Sequence, residues 1–200
     1  MLYSFFRFII SIFLHLFFNI QLVRKPEKKA GRLIISANHL SAWDPLILAI
    51  TSPYQLSFVA KKELSENPIL HFLLKQFHTI FVDREEGDLV AIKTMIQSLE
   101  EGKKVCIFPE GTRVKEVDFD NMKMGTSFLA LKASADIQVV TLKSDYSFRS
   151  KVEVYYHPLI SIENYQNLKG RKARESLSKE IFKKMYPEYL EKEENENHKK

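Results

Sequence analysis

From Leu33 onward the chain alternates short, bulky apolar runs with segments whose apolar residues recur every three or four positions. That rhythm is the strongest constraint the sequence imposes, because a strand repeats every two residues and a helix every 3.6. The runs "LIISA" (33–37), "LSFVA" (56–60), "TIFVD" (79–83), "KVCIF" (104–108) and "IQVVTL" (137–142) are too short for helices and read as buried strands. "VEVYYHP" (152–158) alternates with period two, as a strand with one wet face does. Helical patterns fill the gaps. Asp44-Pro45 opens "PLILAI", and a segment over about 62–77 carries Pro68 as a break. Leu89, Ile92, Ile96 and Leu99 share one face of a helix that Asp88 caps and Gly102 ends. "SFLALKASA" (127–135) and a charged stretch over about 171–190 complete the set. Repeated strand-then-helix order predicts an α/β layered fold, a parallel or mixed β-sheet flanked by helices.

The first 23 residues break the rhythm. "MLYSFFRFIISIFLHLFFNIQLV" holds one charge, Arg7, and as a helix would be about 34 Å long against a hydrocarbon core of about 30 Å. Lys and Arg follow the run and no small-x-small cleavage site is present, which argues against a cleavable signal peptide. Ser4, Arg7, Ser11, His15 and Asn19 fall in a sector of roughly 120°, interrupted by Phe8 and Phe18. The expectation is a membrane helix, tilted across the bilayer or lying in its interface. Arg24, Lys25, Lys28, Lys29 and Arg32 then put the following domain on the cytoplasmic face of the cell membrane and suit anionic lipid. The expected organisation is a membrane-associated helix over 1–24, a folded domain over 25–190 and a disordered charged tail, "EKEENENHKK", over 191–200. A chain cut after residue 23 is expected to fold.

In such sheets ligands bind beyond the carboxyl ends of the strands. His39 follows the first apolar run, Lys61 the second, Arg84 the third, and "PEGTR" (109–113) the fourth. His39 and Asp44 stand five positions apart in "NHLSAWDP". On a helix they would point about 140° apart, and on a strand to opposite faces. Only a bend brings them together. A carboxylate that accepts one ring N–H of an imidazole leaves the other nitrogen as a general base. Asp44 before Pro45 reads equally as a helix N-cap, and both readings stand. "FPEGTR" exposes backbone N–H groups beside Arg113, which with Lys61 and Arg84 suits an anionic substrate, although each cation alone is an ordinary surface charge.

Other chemistries lack their residues. Cys106 is the single cysteine, flanked by Val105, Ile107 and Phe108, and reads as a core thiol, which excludes a disulfide framework and a cysteine zinc site. The six histidines show no metal-ligand spacing, so no metal is expected. "VAIK" (90–93) has no other kinase motif around it, "GDLVAIKT" (87–94) puts Ile92 where a P-loop needs glycine, and no Gly-x-Ser-x-Gly is present. The net charge of +5 suits lipid headgroups or nucleic acid, but no aromatic–basic face supports the latter.

Over roughly residues 30–145 these motifs resemble the glycerolipid acyltransferases of the 1-acyl-glycerol-3-phosphate acyltransferase (PlsC) type. "NHLSAWDP" is similar to the family's His-x-x-x-x-Asp block, "TIFVDR" to the block whose arginine contacts phosphate, and "FPEGTR" matches the third block without substitution. "FVAKKEL" and "MKMG" (122–125) resemble intervening segments, the latter lacking the usual phenylalanine, and "IQVVTLKSD" lacks the Val-Pro pair of the fourth block. The resemblance implies the glycerolipid acyltransferase fold and transfer of an acyl group from acyl-CoA or acyl carrier protein to a lysophospholipid, with 1-acyl-glycerol-3-phosphate the expected acceptor and phosphatidic acid the product. It implies His39 as base, Asp44 as its orienting partner, and Lys61, Arg84 and Arg113 on phosphate. Glu110, Gly111 and Thr112 shape the acceptor side, with no cofactor beyond the thioester co-substrate. Two alternatives are another lysolipid acceptor and a membrane-anchored lipid-binding module without activity.

Overall fold

The computed structural model of the chain describes residues 2–82, 89–113 and 117–189. In chain order the elements are α1 (Leu2–Phe17), β1 (Asn19–Arg24), β2 (Leu33–Ala37), α2 (Asp44–Thr51), β3 (Leu56–Lys61), α3 (Pro68–Gln76) and β4 (Ile80–Val82). After them come α4 (Leu89–Glu100), β5 (Lys104–Ile107), α5 (Gly125–Ala133), β6 (Asp136–Lys143), β7 (Lys151–Tyr156) and α6 (Gly170–Met185). One seven-stranded sheet runs in the order β1-β7-β6-β2-β5-β3-β4. β4, β3, β5, β2 and β6 are parallel neighbours; β7 turns antiparallel against β6, and β1 joins β7 in parallel. The sheet is therefore mixed.

Its apolar runs are continuous because both faces are covered. On β2, Leu33, Ile35 and Ala37 face a layer holding Leu14 and Phe18 from the N-terminus and Ile47 and Leu48 from α2. Ile34 faces the opposite layer, with Leu99 of α4, Ala130 of α5 and Leu177 and Ile181 of α6. Cys106 is fully buried on the first of these faces, and burial pushes its thiol far up. On α4 the buried apolar residues are Ala91, Met95 and Leu99, with Ile92 and Ile96 at the margin; Leu89, expected on that face, is 70% exposed. The expected break at Pro68 is real: Asn67 Oδ1 accepts the Ile69 and Leu70 N–H groups at 3.0 Å each and starts α3 afresh. Gly102 takes φ +80° just past α4, as a terminating glycine does. Asp88, expected to cap α4, lies outside the described residues, as does the 191–200 tail.

The N-terminus departs most from expectation. The helix expected over residues 1–23 ends at Phe17, and residues 19–24 form the edge strand β1. Phe18 turns into the core at the junction, Asn19 N–H donates to Ser150 O at 2.9 Å, and the chain registers against β7 from there. The helix boundary expected at residue 24 lies instead at Phe17. At 16 residues α1 is about 24 Å long, and no helix of the described residues is long and apolar enough to cross a membrane. Nor is Arg7 a charge left to lipid. Its guanidinium donates to Ile50 O at 2.7 Å and Ser52 O at 2.8 Å, carbonyls at the C-terminal end of α2. The opposite face of α1 exposes Leu2, Phe5, Phe8, Ile9, Ile12, Phe13 and Leu16. Cutting the chain after residue 23 would remove most of the edge strand β1 and strip Leu14 and Phe18 from the core, so the independence expected of the remainder is not what this packing supports. Two members of the basic cluster also serve the fold: Lys29 pairs with Asp136 at 2.9 Å, and Arg32 donates to Ala133 O at 2.8 Å.

Candidate active site

Because β6, β2, β5, β3 and β4 run parallel side by side, the loops leaving their carboxyl ends meet along one edge. The site starts where β2 stops. Asn38, buried, donates from Nδ2 to Leu142 O at 2.9 Å and accepts the Leu142 N–H at 2.7 Å, which pins this end of β2 to β6. The chain then bends, and the bend closes around a carboxylate. Asp44 Oδ2 accepts the Leu40 and Ser41 N–H groups at 2.7 Å each and lies 2.9 Å from His39 Nδ1. Its other oxygen, Oδ1, accepts the Tyr146 hydroxyl. The Asp44 side chain is fully buried, whereas that of His39 keeps 19% of its surface open.

This geometry decides between the two readings of Asp44. The residue ahead of α2 is Trp43, in helical conformation and without a side-chain cap, and Asp44 is the first residue of the helix proper. Its short arm reaches back to the amides of the turn instead of forward to those of the helix, so the N-cap reading is corrected. A buried carboxylate accepts, so Nδ1 of His39 is the donor and Nε2 carries the lone pair. The imidazole stacks on Phe108 with ring centres 4.2 Å apart and planes at 24°. Stacked on one face and bonded at its edge, the ring is held beside the carboxylate.

Phe108 leads out of β5 into the second cluster. Gly111 N–H donates to Phe108 O at 3.0 Å and Lys123 N–H to Pro109 O at 2.9 Å, folding "PEGT" into a tight turn. Gly111 has φ +71°, backbone that favours glycine, and a Cβ there would press at 3.3 Å only on the flexible end of the Lys123 side chain. Glu110 points inward and is buried. Tyr186, just past α6, donates its hydroxyl to Glu110 Oε1, while Oε2 has no partner among the described residues. Burial pushes the Glu110 carboxyl above its ordinary 4.5, and the Tyr186 bond and nearby His39 draw it part of the way back. Lys61, Thr112 and Arg113 are exposed at the ends of β3 and the β5 loop. Arg84 lies outside the described residues. Among the described residues, no three His, Cys, Asp or Glu side chains converge to hold a metal ion.

The acyltransferase family model matches residues 19–144, which takes in His39, Asp44, Glu110 and most of the sheet. The chain belongs to the acyltransferase family. Over 172 residues it is 31% identical to the 1-acyl-sn-glycerol-3-phosphate acyltransferase of Borreliella burgdorferi, a match covering 78% of this chain and 67% of that one. The protein of the same name from Helicobacter pylori is 34% identical over 142 residues, 68% of this chain and 60% of its own, and that from Bacillus subtilis 42% identical over 84 residues, 42% of each. The match thus spans between about two fifths and two thirds of these relatives' lengths. The crystal structure of the 1-acyl-sn-glycerophosphate (LPA) acyltransferase PlsC from Thermotoga maritima superposes with a TM-score of 0.68 at 20% identity, covering 90% of this chain and 78% of that one. The two share a fold.

Sequence reasoning missed two residues of this acyltransferase's site. Tyr146 and Tyr186 each hold one buried carboxylate, from 102 and 76 residues away in the chain. Both stand beyond residue 144, where the family match ends. The only sign of Tyr146 was its place just after "IQVVTL", whose carboxyl end opens onto the same edge.

Proposed function

We propose that this acyltransferase moves an acyl group from an acyl thioester to the free hydroxyl of a lysophospholipid, with 1-acyl-glycerol-3-phosphate as acceptor and phosphatidic acid as product. The observation that carries this reading is the His39–Asp44 hydrogen bond at 2.9 Å, closed around a carboxylate with no solvent exposure. Nε2 of His39 takes the proton of the acceptor hydroxyl while its oxygen forms a bond to the thioester carbonyl carbon. The tetrahedral intermediate then expels the thiolate, and the imidazolium returns the proton to sulfur. Asp44 holds the tautomer and stabilises the imidazolium as it forms. Transfer is direct, with no acyl-enzyme and no cofactor besides the thioester, which is acyl-CoA or acyl carrier protein. Lys61, Arg84 and Arg113 take the acceptor phosphate, and the Glu110-Gly111-Thr112 turn shapes the acceptor side.

Lipid substrates favour a protein that meets the bilayer. The exposed apolar face of α1 lies, in this reading, in the cytoplasmic interface of the cell membrane, with the exposed Arg24, Lys25 and Lys28 on anionic headgroups. The test is purified protein in detergent, offered labelled acyl-CoA or acyl-carrier-protein donors and a panel of lysolipids. Labelled phosphatidic acid from lysophosphatidate is the expected product. Lysolipid binding with no acylation of any acceptor would instead mark a lipid-binding module without activity.

A further inference from the structure

The loop joining β6 to β7 is built more tightly than a connection requires. Tyr146 and Arg149 both adopt left-handed backbone, φ +56° and +62°, which L side chains disfavour. Local bonds hold it there. Ser144 Oγ accepts the Tyr146 N–H at 3.0 Å, and Asp145 Oδ1 accepts the Ser147 N–H at 3.0 Å and its hydroxyl at 2.9 Å. The loop is also tied to the N-terminus: Arg149 N–H donates to Phe17 O at 2.7 Å, and Phe18 meets the Tyr146 ring edge-on at 5.9 Å. All of this aims one hydroxyl at Asp44 Oδ1.

We propose that Tyr146 is a positioning residue for the His39–Asp44 pair, its phenol fixing the carboxylate by the oxygen that His39 does not use. The inference rests on the reading of His39 as base. Asp44 Oδ2 already takes the Leu40 and Ser41 amides and His39 Nδ1, all from within its own turn. Among the described residues, the Tyr146 bond is the hydrogen bond that reaches the carboxylate from a distant part of the chain. Without it Oδ1 is a buried acceptor left unmet, and the terminal torsion of aspartate, broad by nature, is no longer held. A donor on Oδ1 also withdraws part of the negative charge that stabilises an imidazolium forming in the transition state, so the Tyr146 bond bears on proton transfer as well as on where the ring points. Burial and Asp44 together push the phenol far above its ordinary value, so it stays a donor throughout the working range.

The experiment is steady-state kinetics of Tyr146→Phe in the full chain, with His39→Ala beside it. Loss of one oxygen is expected to lower kcat by about tenfold, a part of the 10²–10⁴ that general-base assistance supplies, with KM for both substrates within about twofold. The acid limb of kcat/KM is expected to move to higher pH. Placing 3-fluorotyrosine at position 146 keeps the ring and strengthens the donor, so it moves that limb to lower pH; this arm stands even where Tyr146→Phe does not fold. A Tyr146→Phe protein with unchanged kcat and limb, or a limb that ignores the fluorine, would overturn the proposal. If His39→Ala is inactive while Tyr146→Phe is normal, only the tyrosine's role falls. If His39→Ala turns over, the base falls and Tyr146 with it.

Discussion

Asp44 and Glu110 are two buried carboxyl groups within one site, and their surroundings treat them differently. Asp44 accepts two backbone amides, an imidazole N–H and a phenol, so both of its oxygens are met. Glu110 accepts one hydroxyl, its other oxygen has no partner among the described residues, and burial holds its carboxyl above the ordinary value. An acid whose folded value is raised adds stability below its unfolded value and loses that contribution as pH rises through the folded one. Wild type is therefore expected to lose ground to Glu110→Gln on going from about pH 4 to neutrality. Thermal melts across that range check it, and a gap in Tm that ignores pH would contradict it. The pair His39–Asp44 was legible in the sequence because its odd spacing demands a bend. The tyrosines were not, since a hydrogen bond across 102 or 76 residues leaves no local pattern.

At the scale of elements, the strands buried on both faces were the easiest to read, because nothing else requires such short unbroken apolar runs. β1 was hidden by its position directly after an apolar helix, with no glycine or proline between Phe17 and Asn19 to announce the change. Only β7, far along the chain, makes "NIQLVR" a strand. Arg7 shows the same limit: within α1 it reads as part of a polar stripe, yet it closes the end of α2. Charge-assisted bonds to carbonyls are worth about 1.5–3 kcal/mol, so Arg7→Ala is expected to lower unfolding stability by about 2 kcal/mol. Urea titration measures it. A loss below about 0.5 kcal/mol, the usual size of a surface substitution, would mean that α1 docks by its apolar residues alone.

For the molecule as a whole, the N-terminal helix has two employments: Leu14 sits in the core, while Phe5, Phe8 and Ile12 are 58%, 62% and 48% exposed. Phe6, beside that face, meets Phe72 of α3 at 6.3 Å, and Ile69 and Phe72 extend the exposed apolar surface. In the proposed interfacial reading, replacing Phe5, Phe8 and Ile12 together by serine is expected to abolish flotation with anionic vesicles while leaving turnover of detergent-solubilised lysolipid intact. Undiminished flotation would remove α1 from the interface. The sequence carried the alternation of strands and helices and the proximity of His39 to Asp44; it did not carry the way the N-terminal segment and the loop after β6 lock together over Asp44. Everything proposed about the chemistry converges on one imidazole. The most direct test is the rate at which His39→Ala, shown by its melting curve to be folded, acylates lysophosphatidate from a thioester donor. His39→Ala is expected to lower kcat at least 10²-fold, and Asp44→Asn by a similar factor, with the double variant little worse than either. A folded His39→Ala protein that turns over near the wild-type rate would contradict the reading of His39 as base.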